Sequence, residues 1–99
     1  MKKKIEISFA ESAFQDLKDI LHFYNEQKSP QVGEIFVAKI IKDIELLKLQ
    51  PDMGRIVPEF ELDYLKEFIR PSFRMVYHHN SNHVRIIRVW KSEKLMKLP

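Results

Sequence analysis

An α+β fold of order β-α-α-β-β-β, a helical hairpin packed on one face of a small, mainly antiparallel sheet, follows from three features of the 99-residue chain. The apolar period changes from two to about 3.6 after Phe9. Two amphipathic stretches then follow, divided by a Ser29-Pro30 restart. Finally, Tyr64–Trp90 splits into three short runs, joined at Pro71-Ser72 and at Asn80-Ser81-Asn82.

The first element is Lys4–Phe9, where Ile5, Ile7 and Phe9 alternate with Glu6 and Ser8 as in a half-buried strand. Ala13, Leu17, Ile20, Leu21 and Tyr24, widened by Phe14, form the stripe of helix one, which should end around Glu26–Lys28. Two capping boxes compete for its start, Ser8 with Glu11 and Ser12 with Gln15. Ser29 as N-cap and Pro30 at the first turn open helix two, predicted to run to about Leu49 before Pro51. Phe36, Ile40, Ile44 and Leu47 make its apolar row, with Val37 and Ile41 beside it. The short connection implies an antiparallel hairpin.

Asp52–Asp63 is the long irregular stretch, with Gly54 available for a positive φ and Pro58 blocking regular pairing. It is either a functional loop or a connector. The strands after it are Tyr64–Arg70, Phe73–His79 and His83–Trp90. Strict alternation in the last puts Val84, Ile86, Arg88 and Trp90 on one face and Arg85, Ile87 and Val89 on the other. The first strand is expected to close an edge of the sheet.

Composition fits one domain spanning residues 1–99, with 44% apolar residues and seven Phe for its core. No apolar run approaches the roughly 18 residues of a membrane helix, and Lys2–Lys4 lead into no signal-peptide core, so a cytoplasmic protein is expected. The absence of cysteine excludes disulfides and thiolate metal sites. His78 and His83 could approach across a hairpin, but His78 and His79 face opposite ways and no acid lies in the turn, so no metal or other cofactor is expected.

Charge is unevenly placed. Residues 64–99 carry eight cations against Glu67 and Glu93, whereas the first 63 residues are net negative. A basic sheet with Tyr77 and Trp90 among its cations suits an anionic partner, nucleic acid or an acidic protein segment. The other reading is a solvated basic face with the aromatics in the core.

Several segments together resemble the ParE/RelE toxin superfamily of type II toxin–antitoxin modules. Ala13-Phe14-Gln15-Asp16-Leu17 with Ile20 and Tyr24 is similar to its helix-one pattern, and Pro51–Glu59 (PDMGRIVPE) to its P..GR.VPE segment. Lys66-Glu67-Phe68 stands where Arg-Glu-Leu is common, and Phe73-Arg74-Met75-Val76-Tyr77 resembles YRIVY. The resemblance implies a toxin neutralised by a cognate antitoxin, which either binds and inhibits DNA gyrase, as in ParE, or cuts messenger RNA in the ribosome, as in RelE.

For an RNase of the RelE type, the 2′-hydroxyl attacks the adjacent phosphorus, which needs a base and a cationic clamp. The resemblance gives those roles to Arg74 as clamp and Lys66 beside it; the structural alternative pairs Arg74 with Glu67 or Glu59. For a binding toxin, Arg55, Arg70, Arg74, Arg88, Lys91 and Lys94 are the candidate contacts. RelE-type nucleases carry a further Arg and a Tyr near the chain end, and other members His-Gly-x-Arg. Here Lys91 and Lys94 occupy the His and Arg positions and no terminal Tyr exists, which favours the ParE-like, binding branch.

Overall fold

The computed structural model describes residues 4–58, 60–62 and 64–92. The elements are β1 (Glu6–Phe9), α1 (Glu11–Glu26), α2 (Pro30–Glu45) with a 3₁₀ turn at Leu46–Lys48, β2 (Arg55–Ile56), β3 (Leu65–Ile69), β4 (Phe73–His79) and β5 (His83–Lys91). They build one five-stranded sheet of order β1-β5-β4-β3-β2. β1 lies parallel to β5 at one edge, and every other pairing is antiparallel. No helix of the described residues is long and apolar enough to cross a membrane.

The helical hairpin covers one face of the sheet. Ala13, Leu17 and Ile20 of α1 and Ile40, Ile44 and Leu47 meet Phe68, Phe73, Met75, Tyr77, Val84, Ile86 and Val89 in a single buried cluster. The hairpin closes tightly because Gly33 lies against Tyr24, where an added Cβ would come within 2.9 Å of the Tyr24 Cβ. Tyr24 and Phe73 both pack edge-on against Phe36, linking hairpin and sheet through one aromatic chain.

Neither capping box forms. Ala10 is the N-cap of α1 and supplies no side-chain cap, while Ser12 Oγ donates to the Ile87 carbonyl at 2.6 Å. Ser8 stays in β1 with its hydroxyl against His83. A tertiary partner has outcompeted the local backbone N–H in each case. Ser29 does sit at the N-cap of α2, but its Oγ donates back to the Gln27 carbonyl, and Pro30 takes the first turn as expected. The α-helix yields to the 3₁₀ turn after Glu45, short of Leu49.

Two further departures shape the sheet. β5 carries one extra residue, because Val76 pairs with Arg88 while Tyr77 pairs with Ile86. This bulge at Ile87 shifts the alternation by one. Val84, Ile86, Val89 and Lys91 therefore share the helix-side face, and Arg85, Arg88 and Trp90 the open one, which corrects the strict alternation expected for this strand. The second departure is β2, an added edge strand inside the irregular stretch.

That stretch is anchored. The Tyr77 hydroxyl donates to the Pro51 carbonyl at 2.7 Å and accepts from the Gly54 N–H at 3.0 Å. Gly54 has no positive φ. Its lack of a side chain is needed for approach: a Cβ would lie 2.6 Å from the Glu67 carbonyl oxygen and 2.7 Å from the Tyr77 hydroxyl. Val57, buried, closes the loop from the other side. Burial pushes the Tyr77 pKa above its ordinary value of 10.0, against the opposing Gly54 hydrogen bond.

Gly54→Ala should therefore destabilise the fold by about 1–3 kcal/mol in urea unfolding through overpacking, although the backbone there tolerates Ala. Tyr77→Phe should cost a similar 1–3 kcal/mol by leaving buried backbone groups unpaired. Since the neutral phenol is favoured in the folded state, its contribution is complete below pH 10 and declines as pH rises through the raised value. Denaturation midpoints of the wild type and Tyr77→Phe should converge with alkalinity, and midpoints that keep a constant gap would refute this role of the hydroxyl.

Candidate functional site

The open face of the sheet is a row of arginines held by two buried carboxylates. Glu67, in β3 between its neighbours β2 and β4, is 2% exposed. Its Oε2 accepts from Arg55 Nε at 2.7 Å and its Oε1 from Arg74 Nε at 2.9 Å. Cross-strand register explains the trio: Glu67 opposes Arg55 on one side and Val76 on the other, with Arg74 the next open-face residue along β4.

On the far side of the same face, Asp16 of α1 accepts from Arg88 twice, Nε to Oδ2 at 2.7 Å and Nη2 to Oδ1 at 3.0 Å. Its Oδ2 also accepts the Val89 N–H at 2.8 Å. These hydrogen bonds hold the Arg88 guanidinium above its ordinary pKa. Trp90 bridges the two groups, with Arg74 Cζ 5.2 Å and Arg88 Cζ 4.9 Å from its ring centroid. The sequence Arg55–Glu67–Arg74–Trp90–Arg88–Asp16 thus crosses β2, β3, β4 and β5 and ends on α1.

The remaining candidates lie elsewhere. Lys66 opposes Tyr77, on the face turned away from Arg74. Arg70 approaches Asp43 of α2 at 3.3 Å without hydrogen-bond geometry, its guanidinium over Phe68. Lys91 opposes Phe73 and sets its Nζ 3.9 Å from the Phe23 ring centroid. Lys94 and Glu59 lie outside the described residues. The structure therefore brings Arg55, Arg74 and Arg88 together and separates Lys66, Arg70 and Lys91 from them. Among the described residues no group of three His, Cys, Asp or Glu side chains converges as a metal site would require.

Sequence reasoning named the cations and offered Glu67 as a partner for Arg74, a pairing the structure contains, but it missed Asp16. Glu67 was identifiable as the lone acid between Tyr64 and Trp90. Asp16 stood in the helix-one pattern beside the buried stripe of α1, but nothing local tied it to Arg88, 72 positions away.

The description "ParE toxin of type II toxin-antitoxin system, parDE" names the family whose model matches residues 7–96, nearly the whole chain. The chain belongs to the ParE toxin family. Solved structures that share its fold include two from toxin–antitoxin systems. The chromosomal ParDE toxin–antitoxin system of Pseudomonas aeruginosa has a chain 18% identical, with a TM-score of 0.72 over 91% of this chain and 98% of that one. The RelBE2 toxin–antitoxin complex of Mycobacterium tuberculosis has one 20% identical, with a TM-score of 0.62 over 93% and 95%. No curated protein matches the sequence. The segments that place this ParE toxin in the family now have physical roles: the Asp of the helix-one pattern clasps β5, the glycine of P..GR.VPE admits Tyr77, and the arginine after it pairs with Glu67.

Two acids serving three arginines predict unequal mutant costs. Arg55→Ala or Arg74→Ala alone leaves Glu67 one partner and should each cost about 1 kcal/mol or less. The double variant, which strands a buried carboxylate, should cost about 3–5 kcal/mol. Chemical denaturation of the four proteins in a double-mutant cycle checks this, and strictly additive losses would contradict a shared carboxylate.

Proposed function

We propose that this ParE-family chain is a cytoplasmic toxin that acts by binding and inhibiting DNA gyrase rather than by cutting RNA, and that a cognate antitoxin neutralises it. The separation of Arg74 from Lys66 carries the choice of mechanism. Transfer from a 2′-hydroxyl needs base and clamp at one phosphate, whereas these two side chains leave opposite faces of the sheet. Arg74 also directs Nε and Nη2 at Glu67, so two of the donors a phosphate clamp would use are already committed.

A binding role asks less of the same residues. Arg55, Arg74 and Arg88 keep between 40% and 65% of their side chains exposed while their acids fix them in place. Preordered guanidinium groups flanking an aromatic ring are the composition of interaction hot spots, where little entropy remains to be lost on association. The antitoxin rests on the family and on the two structural neighbours, both described as toxin–antitoxin systems or complexes.

Induced expression without a partner should arrest growth, and the purified protein should inhibit gyrase supercoiling while leaving ribosome-bound message intact. Arg55→Ala, the most exposed of the three, should weaken inhibition about ten-fold. Codon-specific cleavage of ribosome-bound message that disappears in Arg74→Ala, with gyrase unaffected, would replace this reading with the nuclease one.

A further inference from the structure

At the β4–β5 hairpin end of the open face, the cation is not matched by an acid. Arg85 is exposed and, unlike Arg55, Arg70, Arg74 and Arg88, makes no ion pair among the described residues. It opposes Ser8 of β1 on one side and His78 of β4 on the other, so the three form a row across three strands. Arg85 Nη1 reaches Ser8 Oγ only at 3.5 Å, the limit of a hydrogen bond, which leaves its other N–H groups open. His83, two residues before it, holds Ser8 Oγ from the other side at 2.9 Å. Glu6, opposite His83, pairs with neither His83 nor Arg85.

The row continues into an aromatic pair. Tyr64, about half exposed, lies against His78 with ring centroids 4.9 Å apart. Register carries the row from His78 to Leu65, and Tyr64 directly precedes it, which puts the Tyr64 backbone roughly 10 Å from that of Arg85. That is within the reach of one extended nucleotide between a phosphate and a neighbouring base.

We infer that Ser8, His83 and Arg85 form a phosphate site for a single-stranded nucleic acid, with a base stacked on Tyr64 and His78. Hydroxyl, imidazole and guanidinium converge from two strands on a point where, among the described residues, no carboxylate pairs with them, which suits a phosphodiester oxygen. The aromatic pair decides between the two anionic polymers a basic sheet could take. An acidic peptide would use Arg85 and leave Tyr64 idle, whereas every base has a face to stack on it. The site is separate from the Glu67 and Asp16 groups and does not depend on gyrase being the target.

The test is fluorescence anisotropy and NMR titration of the full chain with a single-stranded uridine hexanucleotide, with a hexaglutamate peptide as competitor. The amide signals of Ser8, Tyr64, His78, His83 and Arg85 should move together. Arg85→Ala should weaken binding about ten-fold and reduce the salt slope by about 0.7 for the lost phosphate contact. Tyr64→Ala should weaken it by a similar order while Tyr64→Phe retains affinity. Arg85→Lys should fall between wild type and Arg85→Ala, with thermal midpoints unchanged throughout. Undetectable binding, binding indifferent to Arg85→Ala or to Tyr64→Ala, or displacement by the peptide at equal concentration would each overturn the inference.

Discussion

The structure depends on how β5 ends its partnership with β1. β1 stops at Phe9, opposite Ile86, while β5 runs on to Lys91. Backbone groups along that length need partners other than a strand, because buried ones left unpaired are expensive. The entry to α1 supplies them: the Ala10 N–H donates to the Ile86 carbonyl, Ser12 Oγ to the Ile87 carbonyl, and Asp16 accepts the Val89 N–H. One helix thus finishes the edge of the sheet. The same carboxylate turns Arg88 into a fixed feature of the open face, so a requirement of folding also sets the geometry of the surface.

Glu67 plays the matching part on the other side. A carboxylate this buried is tolerable only with good partners, and Arg55 and Arg74 provide them. Arg55 reaches it because Gly54 lets the loop pass close to the Glu67 backbone, and the loop is held there by the Tyr77 hydroxyl. Loop, edge strand and arginine row are therefore one assembly. Substitution of Gly54 or Tyr77 acts on the open face although neither side belongs to it.

Much of the fold was legible in the sequence because its signals are local. The change of period after Phe9, the Ser29-Pro30 restart and the Asn80–Asn82 turn each mark an element within a few residues of its true bound. What the sequence hid depends on distant partners. Ser8 and Ser12 had plausible caps in sequence and found acceptors or donors on β5 in space. The Ile87 bulge reverses the facing of Val89 and Arg88, and no residue type near it announces an insertion. The candidate site was half legible: arginines stand out in a strand, but whether an arginine is free or committed is decided by acids such as Asp16 that lie far off in the chain.

The resulting surface is a sheet face whose arginines are ordered in advance, three by buried carboxylates and one left open near the hairpin. This ordering is the central claim, and NMR of the arginine Nε–H groups tests it most directly. Arg55, Arg74 and Arg88 should give separate, slowly exchanging Nε–H signals that persist as salt is raised, while Arg85 exchanges rapidly with solvent. A single averaged signal for all four, broadened equally and sensitive to salt, would contradict it.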